Sequence, residues 1–354
     1  MENMVVYDNF FKGKKVFLTG HTGFKGSWMT LLLQSLGAEV TGYALSPDQE
    51  QNLFDFTGLE KKMNSHIGDI QDFSTLQDAM VKANPEIVIH MAAQPLVIES
   101  YKNPIQTYGT NVMGTANLLE IVRQLPNVEV CLNITTDKVY KNNEWFWGYR
   151  ETDTLGGHDP YSNSKACSEL VTQSYRDSFF TDSQTVIATA RAGNVIGGGD
   201  WAANRLVPDF IRSIQSGKEV IIRSPKAVRP WQHVLDCLGG YLQLIWKLSA
   251  NKKLATSYNF GPDDDNIKTV ESLINKVCNR WGESASYKIE GNDAFHEAGL
   301  LRLDISKARQ DLDWQPKWGM EKTVTQIVDW YKAFSEGEDA LSLCQIQIKE
   351  FLQN

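Results

Sequence analysis

The sequence predicts an α/β chain built on a doubly wound parallel sheet, with a smaller C-terminal lobe interleaved with the larger domain. Three observations lead there. Strand-like apolar runs alternate with helix-like segments from residue 14 onward, the pattern of a parallel sheet covered by helices on both faces. A glycine-rich turn joins the first strand to the first helix. After Gly199 the alternation weakens and irregular sequence takes over.

The elements follow in order. KKVFLTG (14–20) reads as a strand, followed by a helix through WMTLLLQSLG (28–37) and the strand EVTGYAL (39–45). MNSHIGDI (63–70) is strand-like, STLQDAMVKA (74–83) helical, and EIVIHMAA (86–93) a strand again. A long helical pattern, NVMGTANLLEIVRQL (111–125), precedes the strand EVCLNITT (129–136). SKACSELVTQSYRDSF (164–179) is a helix and TVIATARAGNVIG (185–197) a strand. Beyond it, GGGDWAANRLVPDF (197–210) reads as a loop, EVIIRS (219–224) as a short strand and SPKAVRPWQH (224–233) as irregular. WYKAFSEGEDALSLCQIQIKEFLQN (330–354) ends the chain on helices. The expected division is 1–193 plus 234–263 for the larger domain, and 194–233 plus 264–354 for the smaller one.

Bulk properties narrow the function. The 354 residues suit two domains. A net charge of −8 argues against general nucleic-acid binding, which needs a basic surface. No apolar run reaches the ~18–20 residues that span a bilayer, and the first residues lack the basic-then-apolar order of a secretory signal. Five scattered cysteines form neither a disulfide framework nor a metal-binding spacing. The six histidines include no H-E-x-x-H pattern, so no metal is expected. These features point to the cytoplasm.

Two motifs carry the chemistry. The first is Gly20-His-Thr-Gly23-Phe-Lys-Gly26 between strand and helix. Glycines let backbone amides approach a pyrophosphate, and a helix N-terminus favours its charge. This is a relative of the Rossmann-type dinucleotide fingerprint. The acid that usually follows the second strand is missing: Asp48 lies too far along EVTGYALSPDQE, so NAD and NADP are not distinguished there. Asp69 either meets the adenine end or forms a turn. The second motif is YSNSK (161–165), which sets Tyr161 and Lys165 on one helix face. An ammonium one turn away favours the phenolate and would make Tyr161 a base for a sugar hydroxyl. A third feature is Asp137 beside Lys138 at the end of a strand-like run, where neighbours point to opposite faces.

Together these motifs resemble the extended short-chain dehydrogenase/reductase family over nearly the whole chain. The resemblance rests on TGHTGFKG, GDI (68–70), HMAAQ (90–94), TNVMGT (110–115), YSNSK and RAGNVIG (191–197). It is closest to the branch of nucleotide-sugar 4,6-dehydratases that acts on CDP-glucose, through TTDKVY, EWFWGYRE, GGHDPYSNSKACSE and GGGDWAANRLVPD. The resemblance implies NAD as cofactor, with Gly20, His21, Gly23, Phe24, Lys25, Gly26, Asp69, Ile70, Ala92, Ala93, Gln94, Asn111, Thr135, Tyr161 and Lys165 around it. It implies catalytic roles for Thr136, Asp137, Lys138, Tyr161 and Lys165. Asp137 would protonate a departing hydroxyl and Thr136 would bind the carbon-4 oxygen. Lys138 would act at carbon 5, either as a neutral base or as a charged stabiliser of the enolate. Asn194, Arg205, Leu206, Val207, Arg223 and Arg229 would meet the substrate, CDP-glucose. Trp201 and Trp231 suit either stacking on the base or core packing, and His90 a core position. The resemblance further implies a homodimer, possibly paired into a tetramer, through the helices at 111–125 and around YSNSK.

Overall fold

The computed structural model describes residues 9–47, 49–222, 224–264, 267–282, 285–290 and 299–353. The first half of the chain is a regular alternation. It runs β1 (Lys15–Thr19), α1 (Phe24–Ser35), β2 (Glu39–Ala44), α2 (Leu53–Phe56), β3 (Asn64–Ile67), α3 (Phe73–Ala83) and β4 (Ile87–His90). Two short helices, α4 (Val97–Lys102) and α5 (Pro104–Tyr108), lead through a π-helical turn at Gly109–Met113 into α6 (Gly114–Gln124). Then come β5 (Val130–Ile134), α7 (Pro160–Phe179) and β6 (Val186–Ala192).

Smaller pieces fill the second half. They are β7 (Val195–Ile196), α8 (Leu206–Gln215), β8 (Val220–Ile222), β9 (Val228–Arg229), β10 (Gln232–His233) and α9 (Val234–Ala250). Next are β11 (Ser257–Phe260), β12 (Lys268–Thr269), α10 (Val270–Trp281) and β13 (Tyr287–Ile289). Helices α11 (Ser306–Leu312), α12 (Met320–Ser335) and α13 (Ala340–Gln353) close the described chain.

Seven parallel strands make the central sheet, in the order β11-β6-β5-β4-β1-β2-β3. Side chains alternate across it. Leu18, Ile89 and Leu132 enter the core on one face, and Phe17, Val88 and Cys131 that on the other. Helices cover both faces, so the strands read as nearly unbroken apolar runs. The order reverses direction between β1 and β4. That switch point opens a crevice at the carboxyl ends of the strands, where open α/β sheets bind ligands. Thr19 is level with Tyr43 on β2 and with His90 on β4, so these ends form one edge.

Three ladders outside the main sheet frame that edge: β7 with β10, β9 with β12, and β8 with β13. SPKAVRPWQH therefore contains two short strands. LVPDF, expected to be loop, opens α8. Val207, Phe210 and Ile211 recur at helical spacing and are buried together. The C-terminal helix α13 packs on α1 and α2 as well as on α12.

Candidate active site

The glycine turn is dictated by close approach. Gly20 adopts φ +78°, and a Cβ there would lie 2.8 Å from the Ala92 nitrogen. A Cβ on Gly26 would fall 2.0 Å from the Gly20 carbonyl oxygen. Gly23 has room for one and stands as the N-cap of α1. No side chain caps that helix and its first turn carries no acid, which leaves its amide end facing the crevice for an anion. Behind the turn, the Thr19 hydroxyl accepts from the Met91 and Ala92 amides at 3.0 and 3.1 Å and bonds the His90 Nδ1 at 2.7 Å. This holds the strand end of β4 against Gly20.

A cavity of about 1280 Å³ runs from this turn to the second lobe. Along it lie Gly20, Gly23, Phe24, Lys25, Gly26, Asp69, Ile70, Ala92 and Ala93 on one side. Thr135, Thr136, Asp137, Lys138, Tyr161 and Lys165 stand at its centre, and Asn194, Arg205, Leu206, Val207 and Arg229 on the far side. The glycine turn and the uncapped helix end fit the diphosphate of a dinucleotide.

Three expected cofactor residues stand behind the wall instead. His21 is fully buried, bonding the Ser65 hydroxyl at 2.7 Å beneath Gly42. Gln94 braces its own loop, accepting from the Leu96 amide and donating to Thr107. Asn111, in the π-helical turn, accepts from the Gln94 amide at 2.9 Å and donates to the Gln94 carbonyl and the Ser164 hydroxyl. Such turns insert one extra residue into a helix, often at functional sites. Here the turn aims Asn111 at the loop that carries Ala92 and Ala93. Asp69 forms a turn, accepting from the Gln71 amide at 2.9 Å, while lining the cavity. The turn reading of that residue holds. Arg223 and Asp48 lie outside the described residues. Trp201 and Trp231 are buried in the cavity wall, Trp201 packed edge-on against Trp330 and Phe334.

Strand β5 ends at Ile134, and Asp137–Val139 form a single 3₁₀ turn capped by Thr136. The strand alternation expected for Asp137 and Lys138 therefore does not apply to them. They make no ion pair with each other. Asp137 is buried, accepts from the Thr136 hydroxyl at 3.0 Å, and leaves its Oδ2 without a partner. Burial pushes its carboxyl above the usual range, against the opposing pull of Lys138, Thr136 and Arg229. Lys138 is half-buried, and its ammonium has no hydrogen-bond or ion-pair partner among the described residues.

Asp159 caps α7, accepting from the Ser162 amide at 2.9 Å, and Pro160 opens the helix. This start places Tyr161, Lys165 and Glu169 one turn apart. Burial pushes the Tyr161 phenol up to about 12, although the hydrogen bond with Thr136 and the charge of Arg205 pull it down. The expected lowering by Lys165 is not seen: desolvation dominates, and the charges of Asp137 and Asp159 add to it. The Lys165 ammonium donates to the Ile134 carbonyl at 2.8 Å. Burial brings it down to about 8, with Glu169 raising it and Lys25 lowering it.

The sequence reading missed Glu169, although its place eight residues after Tyr161 in YSNSKACSE was a usable signal. It is buried and accepts from Arg191 at 2.8 Å, from Thr189 at 2.7 Å and from Thr135. Burial opposes its charge, yet Arg191 and these hydroxyls hold it below the usual carboxylate range. The far wall carries Arg205, paired with the buried Asp200 at 3.0 Å, and the buried Arg229, whose Nη1 donates to the Val228 carbonyl.

Comparison with known proteins sets this chain beside nucleotide-sugar enzymes. Residues 17–327 match the family described as GDP-mannose 4,6 dehydratase. The chain is similar to the CDP-glucose 4,6-dehydratase of Salmonella typhimurium, with 50% identity over 97% of this chain and 98% of that protein. Among solved structures, a UDP-glucose 4-epimerase of Stenotrophomonas maltophila with bound NAD superposes with a TM-score of 0.79 at 22% identity, covering 92% of this chain and 100% of that one. A dTDP-glucose 4,6-dehydratase of Bacillus anthracis in complex with NAD gives 0.75 at 23% identity, covering 92% and 99%.

Proposed function

The chain belongs to the GDP-mannose 4,6 dehydratase family, and from that membership we propose that it converts CDP-glucose to CDP-4-keto-6-deoxyglucose and water. The observation that carries the reading is the adjacency of Asp137 and Lys138 in the same cavity as Tyr161 and Lys165. One is a buried carboxyl with raised proton affinity, the other an amine with no hydrogen-bond or ion-pair partner among the described residues. An oxidation alone needs only the second pair; an elimination needs the first as well. The choice of CDP-glucose follows the likeness to the Salmonella enzyme.

Gly20, Gly23, Gly26, Asp69, Ala92 and Ala93 would hold NAD. When bound, it supplies a two-electron acceptor at carbon 4 and a two-electron donor at carbon 6, so the reaction has no net redox change. Tyr161, hydrogen-bonded with Thr136, takes the proton of the carbon-4 hydroxyl. The ketone so formed acidifies the carbon-5 hydrogen. Lys138, as the neutral amine, takes that proton as the carbon-6 C–O bond breaks, and the protonated Asp137 gives its proton to the departing hydroxyl to form water. Lys138 returns its proton to carbon 5 when carbon 6 is reduced. At that point Tyr161 holds one proton too many and Asp137 one too few. Thr136, bonded to both, is situated to pass the proton back. Arg205 and Arg229 would meet the diphosphate, and Asn194, Leu206 and Val207 the sugar nucleotide.

We further propose the division into 1–193 plus 234–263 and 194–233 plus 264–354 for cofactor and substrate. We also propose a homodimer or homotetramer through the helical stretch 111–125 and α7, which expose Met113 and Leu170. No described helix is long and apolar enough to cross a membrane. The five free cysteines suit a reducing compartment, the cytoplasm. Incubating the protein with NAD and a panel of nucleoside diphosphate glucoses tests the activity. CDP-glucose should give a 4-keto-6-deoxy product; a galactose-configured product would mean an epimerase, and no product would refute the reading.

A further inference from the structure

The turn that carries Thr136, Asp137 and Lys138 is tied at both ends to one buried ion pair. Just before it, the Thr135 amide donates to the Ala190 carbonyl of β6 at 2.8 Å, and the Thr135 hydroxyl donates to Glu169 Oε1. Just after it, the Tyr140 hydroxyl accepts from Arg191 Nη1 at 2.9 Å and donates to Asn259 Oδ1 at 2.7 Å. The guanidinium also lies 5.1 Å from the centre of the Tyr140 ring. Glu169 and Arg191 meet at 2.8 Å, both almost fully excluded from water. Residues 136–139 are therefore the span between two side chains that close on the same pair.

We propose that Glu169 and Arg191 are positioning residues: as one buried clamp they hold this turn through Thr135 at its start and Tyr140 at its end, and so fix Asp137 and Lys138 relative to Tyr161. The consequence for catalysis rests on the function proposed above; the hold on the turn does not.

The clamp is anchored to the central sheet rather than to the turn it holds. Glu169 Oε2 accepts from Arg191 Nη2 at 2.8 Å, from the Thr189 hydroxyl at 2.7 Å and from the Ser257 hydroxyl at 3.3 Å, while Oε1 takes Thr135. Arg191 Nη2 also donates to Ser257 at 3.1 Å, and Nη1 to the Glu151 carbonyl at 3.2 Å. Thr189 and Arg191 belong to β6, and Ser257 and Asn259 to β11. Within the turn the bonds are long: the Val139 amide to the Thr136 carbonyl and the Lys138 amide to the Thr136 hydroxyl are both 3.4 Å. Its shape therefore depends on what holds its ends, and bonds to buried charged groups are the stronger kind. One face of α7 completes the register. Lys165 donates to the Ile134 carbonyl at 2.8 Å, Glu169 accepts from Thr135, and Tyr161 hydrogen-bonds with Thr136. Residues four apart on a helix share a face, so 161, 165 and 169 hold three successive residues at the end of β5. Lys25 is held from outside this arrangement, donating to the Tyr241 hydroxyl on α9 at 3.0 Å.

The test compares Thr135→Val and Tyr140→Phe, which each cut one end of the clamp and leave the ion pair whole, with Thr135→Ser, which keeps the hydroxyl. Hydrogen–deuterium exchange of the whole protein, read by mass spectrometry, reports on the turn directly. In both cut variants exchange over 136–139 should rise roughly tenfold, and Thr135→Ser should match wild type. In the same two variants kcat for CDP-glucose should fall roughly tenfold, with KM within about twofold and the dissociation constant of NAD unchanged. Thr135→Ser should keep kcat as well. Unchanged exchange over 136–139 in both cut variants would overturn the proposal, as would faster exchange at wild-type kcat. So would a Thr135→Ser that falls as far as Thr135→Val, or a loss of NAD affinity large enough to account for the fall in kcat. If Tyr140→Phe fails to fold, the two Thr135 variants decide alone. A wild type that forms no product from CDP-glucose would refute the functional reading, and the exchange rates would still decide whether the clamp holds the turn.

Discussion

Replacing Glu169 with glutamine should cost more stability than any exposed charge change in this protein. Glu169 and Arg191 are only 2% and 3% exposed and meet at 2.8 Å. The substitution keeps the volume and some hydrogen bonding to Thr135 and Thr189. It removes the counter-charge of a guanidinium whose Nη2 also bonds Ser257 and whose Nη1 bonds Tyr140. Breaking a buried pair from one side costs about 3–5 kcal/mol, because the remaining charge is left uncompensated. Urea titration at neutral pH reads that loss as a lowered midpoint at similar slope. Removing both charges, as in Glu169→Gln with Arg191→Met, should recover part of it, since the partners couple. The sign with pH follows as well. Glu169 is held below its unfolded value, so its contribution is present at neutral pH and fades as pH falls through the folded-state value. The glutamine variant should lack that acid-side loss. A cost below about 1 kcal/mol, or full additivity in the double variant, would refute the claim that this pair is a desolvated, mutually dependent unit.

Other substitutions separate the remaining roles. Lys138→Met should still oxidise carbon 4 slowly but lose carbon-5 exchange in heavy water by at least about 100-fold; exchange at the wild-type rate would remove Lys138 from that step. Gly26→Ala forces a methyl to within 2.0 Å of the Gly20 carbonyl oxygen. It should weaken NAD binding in a calorimetric titration by at least about tenfold while costing about 1–3 kcal/mol of stability. Asp236 is buried, accepts from the Lys317 amide at 2.6 Å, and has its carboxyl pushed by burial up to about 7. A raised carboxyl favours folding at low pH, so stability should fall as pH rises from about 4 to 7. Asp236→Asn should flatten that stretch of the stability–pH curve, and an unchanged slope would show that Asp236 does not set it.

The parts legible in the sequence are those set by local chemistry. The parallel sheet followed from apolar runs alternating with segments of period 3.6, and the glycine turn from residues that close backbone approach demands. YSNSK revealed itself because one helical turn brings its ends together. What stayed hidden depends on partners distant in sequence. Nothing near Lys25 announces Tyr241, 216 residues away. Nothing near Glu169 announces Arg191 on another element. Asn111 and Gln94 were matched to the cofactor by motif, yet their side chains satisfy each other's loop. Asp137 and Lys138 were read against a strand that stops three residues earlier. LVPDF looked like loop because its proline and preceding irregular residues masked an amphipathic face that only the second lobe completes.

The chain as a whole carries −8, yet the cavity lining is balanced: Lys25, Lys102, Lys138, Lys141, Lys165, Arg205 and Arg229 stand among Asp69, Glu99, Asp137, Glu144, Asp159, Asp200 and Asp209. A nucleotide sugar and a dinucleotide therefore meet local cations rather than a cavity of one sign, and the placement of those cations decides where each anionic group settles. Burial raises the proton affinity of both Tyr161 and Asp137, and the pull of Arg205 on one and of Lys138 and Arg229 on the other only reduces that rise. Asp137 thus already has the raised affinity that a proton donor needs, whereas Tyr161 acts as a base only once a bound positive charge lowers it further.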